Sequence, residues 1–456
     1  MTNIPMEPAV SKQKPKFDIV KFLTKNSMTI ALVVVFILFY FLTDGRLLLP
    51  QNMSNLMLQN GYVLIMACGM LLCILTGGNI DLSVGSVICL TGGMAAVLIT
   101  NMGWNVYLTI GLCLLVGLAV GIWQGYWIGY VRIPPFITTL SGMFVFRGIG
   151  RLILDSKTVA IQDKAFTNLF TSYITIPGLD GSKVIEINKK GEEVVKWVYR
   201  EIQLLVPHLG KVTDPAELEK MYIATIGKHH ILMDKLTIKA LSPLIVGVLV
   251  VAALFVFCAI SRSNKKKNGY HQNSALVDYG RNTIISLIIL WYCFMLSQYK
   301  GISVMLVWVI AICLIYHFIT SKTSFGRYFY AVGGNEKATR LSGIDTNKVY
   351  FLAYANMGLL AGLCGLLCLA RVGSVSGQTG TSFEMDAIGS CFIGGASAYG
   401  GVGTVGGVVI GALLLGVINM GMSIMGITDS WQYVVKGLVL LVAVIFDVVS
   451  SRKNGK

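Results

Sequence analysis

Residues 56–86 read LMLQNGYVLIMACGMLLCILTGGNIDLSVGS, and this stretch decides the fold. From Leu56 to Thr76 nothing carries a charge, so the run is long enough to cross hydrocarbon as a helix. Gly77 and Gly78 end it, a polar patch follows around Asp81, and an apolar run resumes through Ile99. Irregular backbone at membrane depth is tolerated only inside protein or beside a water-filled cavity. Asp81 and Ser83 therefore have two readings. Either they cap the helix that follows, or with Asn79 and Gly85 they belong to a translocation pathway or gate, the default meaning of an ionisable group among spans.

The same pattern extends along all 456 residues. Only 13% are charged, against about 25% in a soluble domain, while 55% are hydrophobic and the mean hydropathy is +0.70. Apolar runs cover 28–43, 56–76, 82–99, 107–128, 136–154, 241–260, 283–296, 302–319, 349–369, 387–399, 405–425 and 431–449. Residues 387–399 are short enough either to cross or to be re-entrant. The expectation is an all-α polytopic membrane protein with about 10–12 transmembrane helices, some broken or re-entrant at glycines. All ten cysteines lie inside apolar runs, which predicts neither a disulfide framework nor a metal site. The net charge of +15 belongs to basic inner loops rather than to nucleic-acid binding.

Basic residues set the orientation. Lys12, Lys14, Lys16, Lys21 and Lys25 argue that the N-terminus stays inside, and counting spans puts the loops 261–281 and 320–348 inside as well, and the C-terminal tail too provided that 387–399 crosses. The organisation is then a cytoplasmic tail (1–27), a first membrane half of about five spans (28–154), an extracytoplasmic insertion (155–239), further spans around the basic loop (240–319), a cytoplasmic loop (320–348), a second membrane half (349–449) and a cytoplasmic tail (450–456). The insertion holds 12 Lys/Arg and 11 Asp/Glu, so its net charge is +1. Its residues 184–188 and 193–198 flank Lys189-Lys190-Gly191 as a hairpin would. Asp214-Pro215 ahead of 216–222 supplies the start of a short helix, giving a small α+β unit. The insertion is either a decoration or a contact surface for an extracytoplasmic partner.

Glycines mark packing faces. Gly117, Gly121, Gly125 and Gly129 recur every four residues, as do Gly403, Gly407 and Gly411, and such faces let helix backbones approach closely in lipid. Gly401-Val402-Gly403-Thr404-Val405-Gly406 spells a loose G-x-G-x-x-G, but it lies between apolar runs without a βαβ unit and reads as a helix break. Gly394-Gly395 and Gly400-Gly401 echo the break at Gly77-Gly78, a hint of an internal repeat.

The loop 325–344, FGRYFYAVGGNEKATRLSGI, holds a second local signal. After Gly334, Asn335 suits an N-cap, Glu336 the first turn, Arg340 the last turn and Gly343 the position past the end, with Ala338 between and Ile344 beyond. A helix of about two turns is marginal alone in water and needs support from its own protein or from a partner. The chain contains no G-x-x-x-x-G-K-[ST], so if ATP drives it, another protein binds the ATP.

Taken together, GGNIDLSVGS at 77–86, RIPPFITTL at 132–140, FRGIG at 146–150, the 325–344 loop and FIGGASAYGGVGTVGG at 392–407 resemble the permease subunits of ribose/xylose-type ABC sugar importers. The longer span pattern is closer to the xylose and multiple-monosaccharide branch. The resemblance implies that Gly334, Asn335, Glu336, Ala338, Arg340, Gly343 and Ile344 dock a cytoplasmic ATPase with two cassettes. It further implies an extracytoplasmic sugar-binding protein, a second copy of the permease, surrounding membrane lipid, and a location in the bacterial inner membrane. No cofactor is expected in this chain, ATP and Mg²⁺ being held by the ATPase.

Two other classes compete. An ion-coupled secondary transporter also uses broken helices, but ionisable residues in the spans are sparse; Arg147, Arg151, Lys436 and Asp447 are expected near span ends, where they can snorkel, and His317 at an inner end. A membrane enzyme would need a nucleophile–base pair, and no H-E-x-x-H occurs.

Overall fold

The protein is described by a computed structural model over residues 27–177, 179–187, 193–199, 201–207, 222–226, 229–269 and 274–453. Each apolar run contains a helix. The first five are α1 (Ser27–Leu42), α2 (Pro50–Leu75), α3 (Val84–Ala96, continued by a π turn Val97–Asn101), α4 (Val106–Gly129) and α5 (Pro135–Ile153). Proline opens α2 and α5, where its missing N–H costs nothing. Asn105 caps α4 by accepting from the Tyr107 amide. After the insertion come α7 (Ser242–Lys267), α8 (Ala275–Ser297) and α9 (Val304–Lys322). The short α10 (Ser324–Gly334) and α11 (Glu336–Leu341) lead into α12 (Thr346–Val372), α13 (Phe383–Ile393), α14 (Val405–Ile424) and α15 (Asp429–Lys453). Among the described residues nine helices are long and apolar enough to cross a membrane.

The core is built on α2 and α12, whose apolar windows are 89% and 83% buried. α4 runs antiparallel to α12 along the predicted glycine face. A Cβ at Gly117, Gly121, Gly125 or Gly129 would lie 2.5 to 2.6 Å from the carbonyl oxygen of Gly358, Tyr354, Phe351 or Asn347 respectively. Backbone contact this close is what small residues permit where lipid removes the hydrophobic drive between helices. On the other glycine face, Gly407 and Gly411 fit against Gly394 and Ser390 of the preceding segment, but Gly403 lies ahead of α14 with φ +154 and packs on Leu71 and Ala396. The expected four-residue repeat therefore ends at Gly407, because Thr404 is the N-cap of α14.

The short run 387–399 resolves into something between the two expected forms. α13 has 11 residues, or about 16 Å of helix, roughly half the hydrocarbon thickness. Just before it, β9 (Ser374–Val375) pairs with β1 (Val159–Ala160) beyond the end of α5. Just after it, the Gly401 amide donates to the Leu75 carbonyl at the opposite end of the bundle. The chain thus traverses as loop, half-length helix and loop.

The insertion carries α6 (Lys164–Thr171), β2 (Tyr173–Ile174) and an antiparallel hairpin of β3 (Gly181–Ile187) with β4 (Glu193–Tyr199). A three-stranded sheet follows in the order β5 (Ile202–Pro207), β7 (His229–Ile238), β6 (Tyr222–Ile226). The hairpin falls where the sequence predicts it. Its turn at Lys189-Lys190-Gly191 and most of the helix expected at 216–222 lie outside the described residues, as do the lysines of the N-terminal tail, and Tyr222 itself opens β6. β8 (Ile302–Ser303) pairs with β2, and the Lys239 and Ala240 amides both donate to the Ser297 carbonyl. α7 and α8 form an antiparallel pair that is largely exposed, with Gly247 fitted against Cys293.

Candidate functional site

At the end of the bundle where α2 finishes and α12 begins, three glycine pairs that are far apart in sequence meet. A Cβ on Gly400 would lie 2.4 Å from the backbone of Gly77, and one on Gly78 would lie 1.8 Å from the Ala398 carbonyl oxygen. Gly333, near the end of α10, completes the contact: its Cβ would stand 1.9 Å from the Leu75 carbonyl oxygen and 2.4 Å from the Gly401 amide. The Tyr330 hydroxyl donates to the Gly403 carbonyl at 3.0 Å. Only glycine allows three backbones to share so little space. Gly77, Gly78, Gly400 and Gly401 also hold the left-handed φ values that other residues avoid.

Among the predicted gate residues, Asn79 donates to the Thr76 carbonyl at 3.2 Å. Asp81 is buried, and its Oδ1 accepts from the Ser83 amide at 2.8 Å and from the Ser83 hydroxyl at 2.7 Å. The expected capping of α3 takes a different form. Ser83 is the N-cap, but with a helical backbone and no side-chain cap bond, so Asp81 closes the turn ahead of the helix rather than its first turn. The Ser83 hydroxyl also accepts from Gln124 Nε2 at 2.7 Å, which ties the break to α4. Gly85 meets the second broken segment, its Cβ position lying 2.1 Å from the Gly380 carbonyl oxygen.

α11 is a six-residue helix, capped as the sequence predicts. The Asn335 side chain accepts from the Ala338 amide at 3.0 Å, and Gly343 has φ +83 past the Ser342 C-cap. It rests on α10 through Thr339, whose hydroxyl donates to the carbonyls of Ala331 and Asn335, both at 2.8 Å. Gly334, Asn335, Ala338, Arg340 and Gly343 are exposed, Ile344 is half-buried, and Glu336 points back into the protein. Two residues absent from the predicted set, Lys337 and Leu341, share the exposed face, with Leu341 89% exposed.

Glu336 sits in a polar cluster. Its carboxylate lies 2.8 Å from Arg132 Nη1 and accepts from the Thr346 hydroxyl and the Tyr350 hydroxyl, each at 3.1 Å. Partial burial pushes its pKa up, but the Arg132 charge and the hydrogen bonds from Arg132, Thr346 and Tyr350 outweigh that and hold it below the usual carboxylate range. Arg132 falls inside the quoted RIPPFITTL motif, yet no local pattern gave it a role.

The second broken segment, residues 374–404, meets charged side chains from α5 and α15 and carries two carboxylates of its own. Arg147 donates to the carbonyls of Gly377 and Thr379, and Arg151 to that of Gly377. Lys436 does not snorkel as expected: it pairs with the buried Asp386 at 3.0 Å. Glu384 is buried beside them. Glu384 and Asp386 were missed; the available signal was an acidic pair next to an apolar run, in Phe383-Glu384-Met385-Asp386-Ala387.

A family model described as "Branched-chain amino acid transport system / permease component" matches residues 52–180 and 222–444. The xylose transport system permease protein of Escherichia coli (strain K12) is 31% identical over 427 residues, covering 94% of this chain and 92% of the relative. Its counterpart in Haemophilus influenzae is 32% identical over 426 residues, 93% and 96% of the two chains. The ribose import permease protein of Escherichia coli (strain K12) is 29% identical over 398 residues, 87% and 85%. No solved structure matches. The break in the family match, 181–221, falls inside the insertion, and the matched residues include all three glycine pairs and α11. This chain belongs to that permease-component family, among the ribose/xylose-type permeases.

Proposed function

We propose that the chain is the membrane subunit of an ABC importer that moves a pentose or hexose, such as xylose, arabinose, glucose or galactose, into the cytoplasm by alternating access. The observation that carries this reading is α11: held at its base, it presents Lys337, Ala338, Arg340 and the bare Leu341 outward at the end of the bundle. An apolar knob ringed by cations suits a pocket with an acidic rim on a partner. That partner is a cytoplasmic ATPase with two cassettes, which holds the ATP and Mg²⁺. Both termini lie on its side of the membrane, which puts the insertion on the outer side, facing a sugar-binding protein. Two copies of the permease enclose the path, and lipid covers the exposed apolar faces.

The pair of the buried Asp386 with Lys436 is a feature that favours ion coupling instead. The two charges neutralise each other, which argues for a structural pin. Reconstitution of the chain with its ATPase and binding protein in liposomes, followed by uptake of labelled D-xylose and D-ribose, separates the readings. Uptake that requires ATP and survives an ionophore is expected. Uptake that an ionophore abolishes and that ignores ATP would overturn the importer reading.

A further inference from the structure

Arg132 lies in the turn between α4 and α5 with φ +65, a left-handed conformation that a non-glycine residue holds only when its surroundings impose it. Its guanidinium reaches four partners at once. Nη1 is 2.8 Å from Glu336 in α11, Nη2 donates to the Thr346 hydroxyl at 2.9 Å and to Asn347 Oδ1, and the group stacks 4.9 Å over the Tyr350 ring. The planar fork of arginine suits such a multiple grip in a way lysine cannot match.

We propose that Arg132 is a positioning residue for coupling: it clamps the first turn of α11 to the shared end of α4 and α12, so that displacement of α11 moves those two helices. The inference rests on the importer reading above. α4 and α12 are locked together by the glycine face from Gly117 to Gly129, so a pull on either moves both. The polar side chain of α11 that links it to α10 is Thr339, and α10 leads to the glycine junction through Gly333. The Arg132 cluster is a separate path, ending on α4 and α12 instead. Arg132 and Glu336 are each 37% exposed, and a half-exposed ion pair adds little to stability. Its removal should spare the fold while cutting this path.

The test uses the complete importer in proteoliposomes. Arg132→Gln is expected to retain the ATPase during purification and to hydrolyse ATP without binding protein within about twofold of wild type. Stimulation by sugar-loaded binding protein should fall by about tenfold, with a parallel loss of D-xylose uptake per ATP hydrolysed. The charge swap Arg132→Glu with Glu336→Arg should recover most of that ratio, which a role confined to stability would not produce. If Arg132→Gln inserts poorly, Tyr350→Phe removes only the hydroxyl donor to Glu336 and should show a smaller loss of the same ratio. Three results would overturn the proposal: wild-type stimulation and uptake in Arg132→Gln, loss of the ATPase from that variant, or a swap no better than the single substitution. A wild-type complex that never couples ATP to uptake removes the importer reading itself, and that failure is read without any variant.

Discussion

The amide of Gly401 donates to the carbonyl of Leu75 at 3.0 Å, so the second broken segment is stitched to the end of the helix that precedes the first. Neither break is a free loop. Each fills the other's missing side-chain space, and Gly333 inserts α10 between them. Motion of α10 therefore reaches both breaks without an intervening side chain.

Substituting Gly333 by Ala should separate these backbones. Overpacking of this kind costs about 1–3 kcal/mol, visible as a lower melting temperature of the purified protein in detergent. The control is Gly148→Ala, a helical position with nothing within 4 Å of its Cβ, which should be neutral or slightly stabilising. Equal melting temperatures for the two variants would contradict the junction.

The α4–α12 face gives a graded version of the same experiment. Gly121→Leu should abolish accumulation of folded protein, because its Cβ already meets the Tyr354 carbonyl oxygen at 2.5 Å. Gly111→Leu, on the same helix in open space, should leave membrane expression within about twofold. Fluorescence-detected size exclusion distinguishes them.

Breaking the Asp386–Lys436 pair from one side strands a buried charge. Lys436→Met alone, which leaves the buried Asp386 unpaired, should lower stability by about 3–5 kcal/mol, and adding Asp386→Asn should restore much of it. A double variant as unstable as the single one would mean that the pair serves an ion pathway rather than holding α13 to α15.

Acidification tests the Glu336 cluster. A carboxylate with a depressed folded-state pKa contributes stability that is present above its unfolded value, near 4.5, and is lost as pH falls through the lower folded value. Hydrogen exchange of the α11 amides should therefore be flat, after correction for intrinsic rates, from pH 8 down to about 5, with protection lost only below that. Loss of protection between pH 7 and 6 would show that another group controls the element.

The apolar runs were legible because hydrocarbon thickness imposes a length that composition alone reveals. The caps of α11 were legible because Asn335 and Gly343 act on their immediate neighbours. Arg132 was not, since its partners Glu336, Thr346 and Tyr350 lie on other elements and leave no periodic trace. Glu336 was legible in part: a first-turn carboxylate satisfies the helix dipole, and that sufficient local reason concealed its inward partner. Glu384 and Asp386 escaped because an apolar window begins only at Ala387, whereas the helix begins four residues earlier and Asp386 is neutralised by a distant lysine.

The chain leaves the main bundle after Ile174 and returns to it at Ile302, where the two stretches pair as β2 and β8. Between these points α7 and α8 contribute an even number of passages. Parity then makes the excursion silent: every later segment, α11 included, faces the same side whether or not the pair is present. The pair of helices is in this way free to change without inverting the segments that follow it.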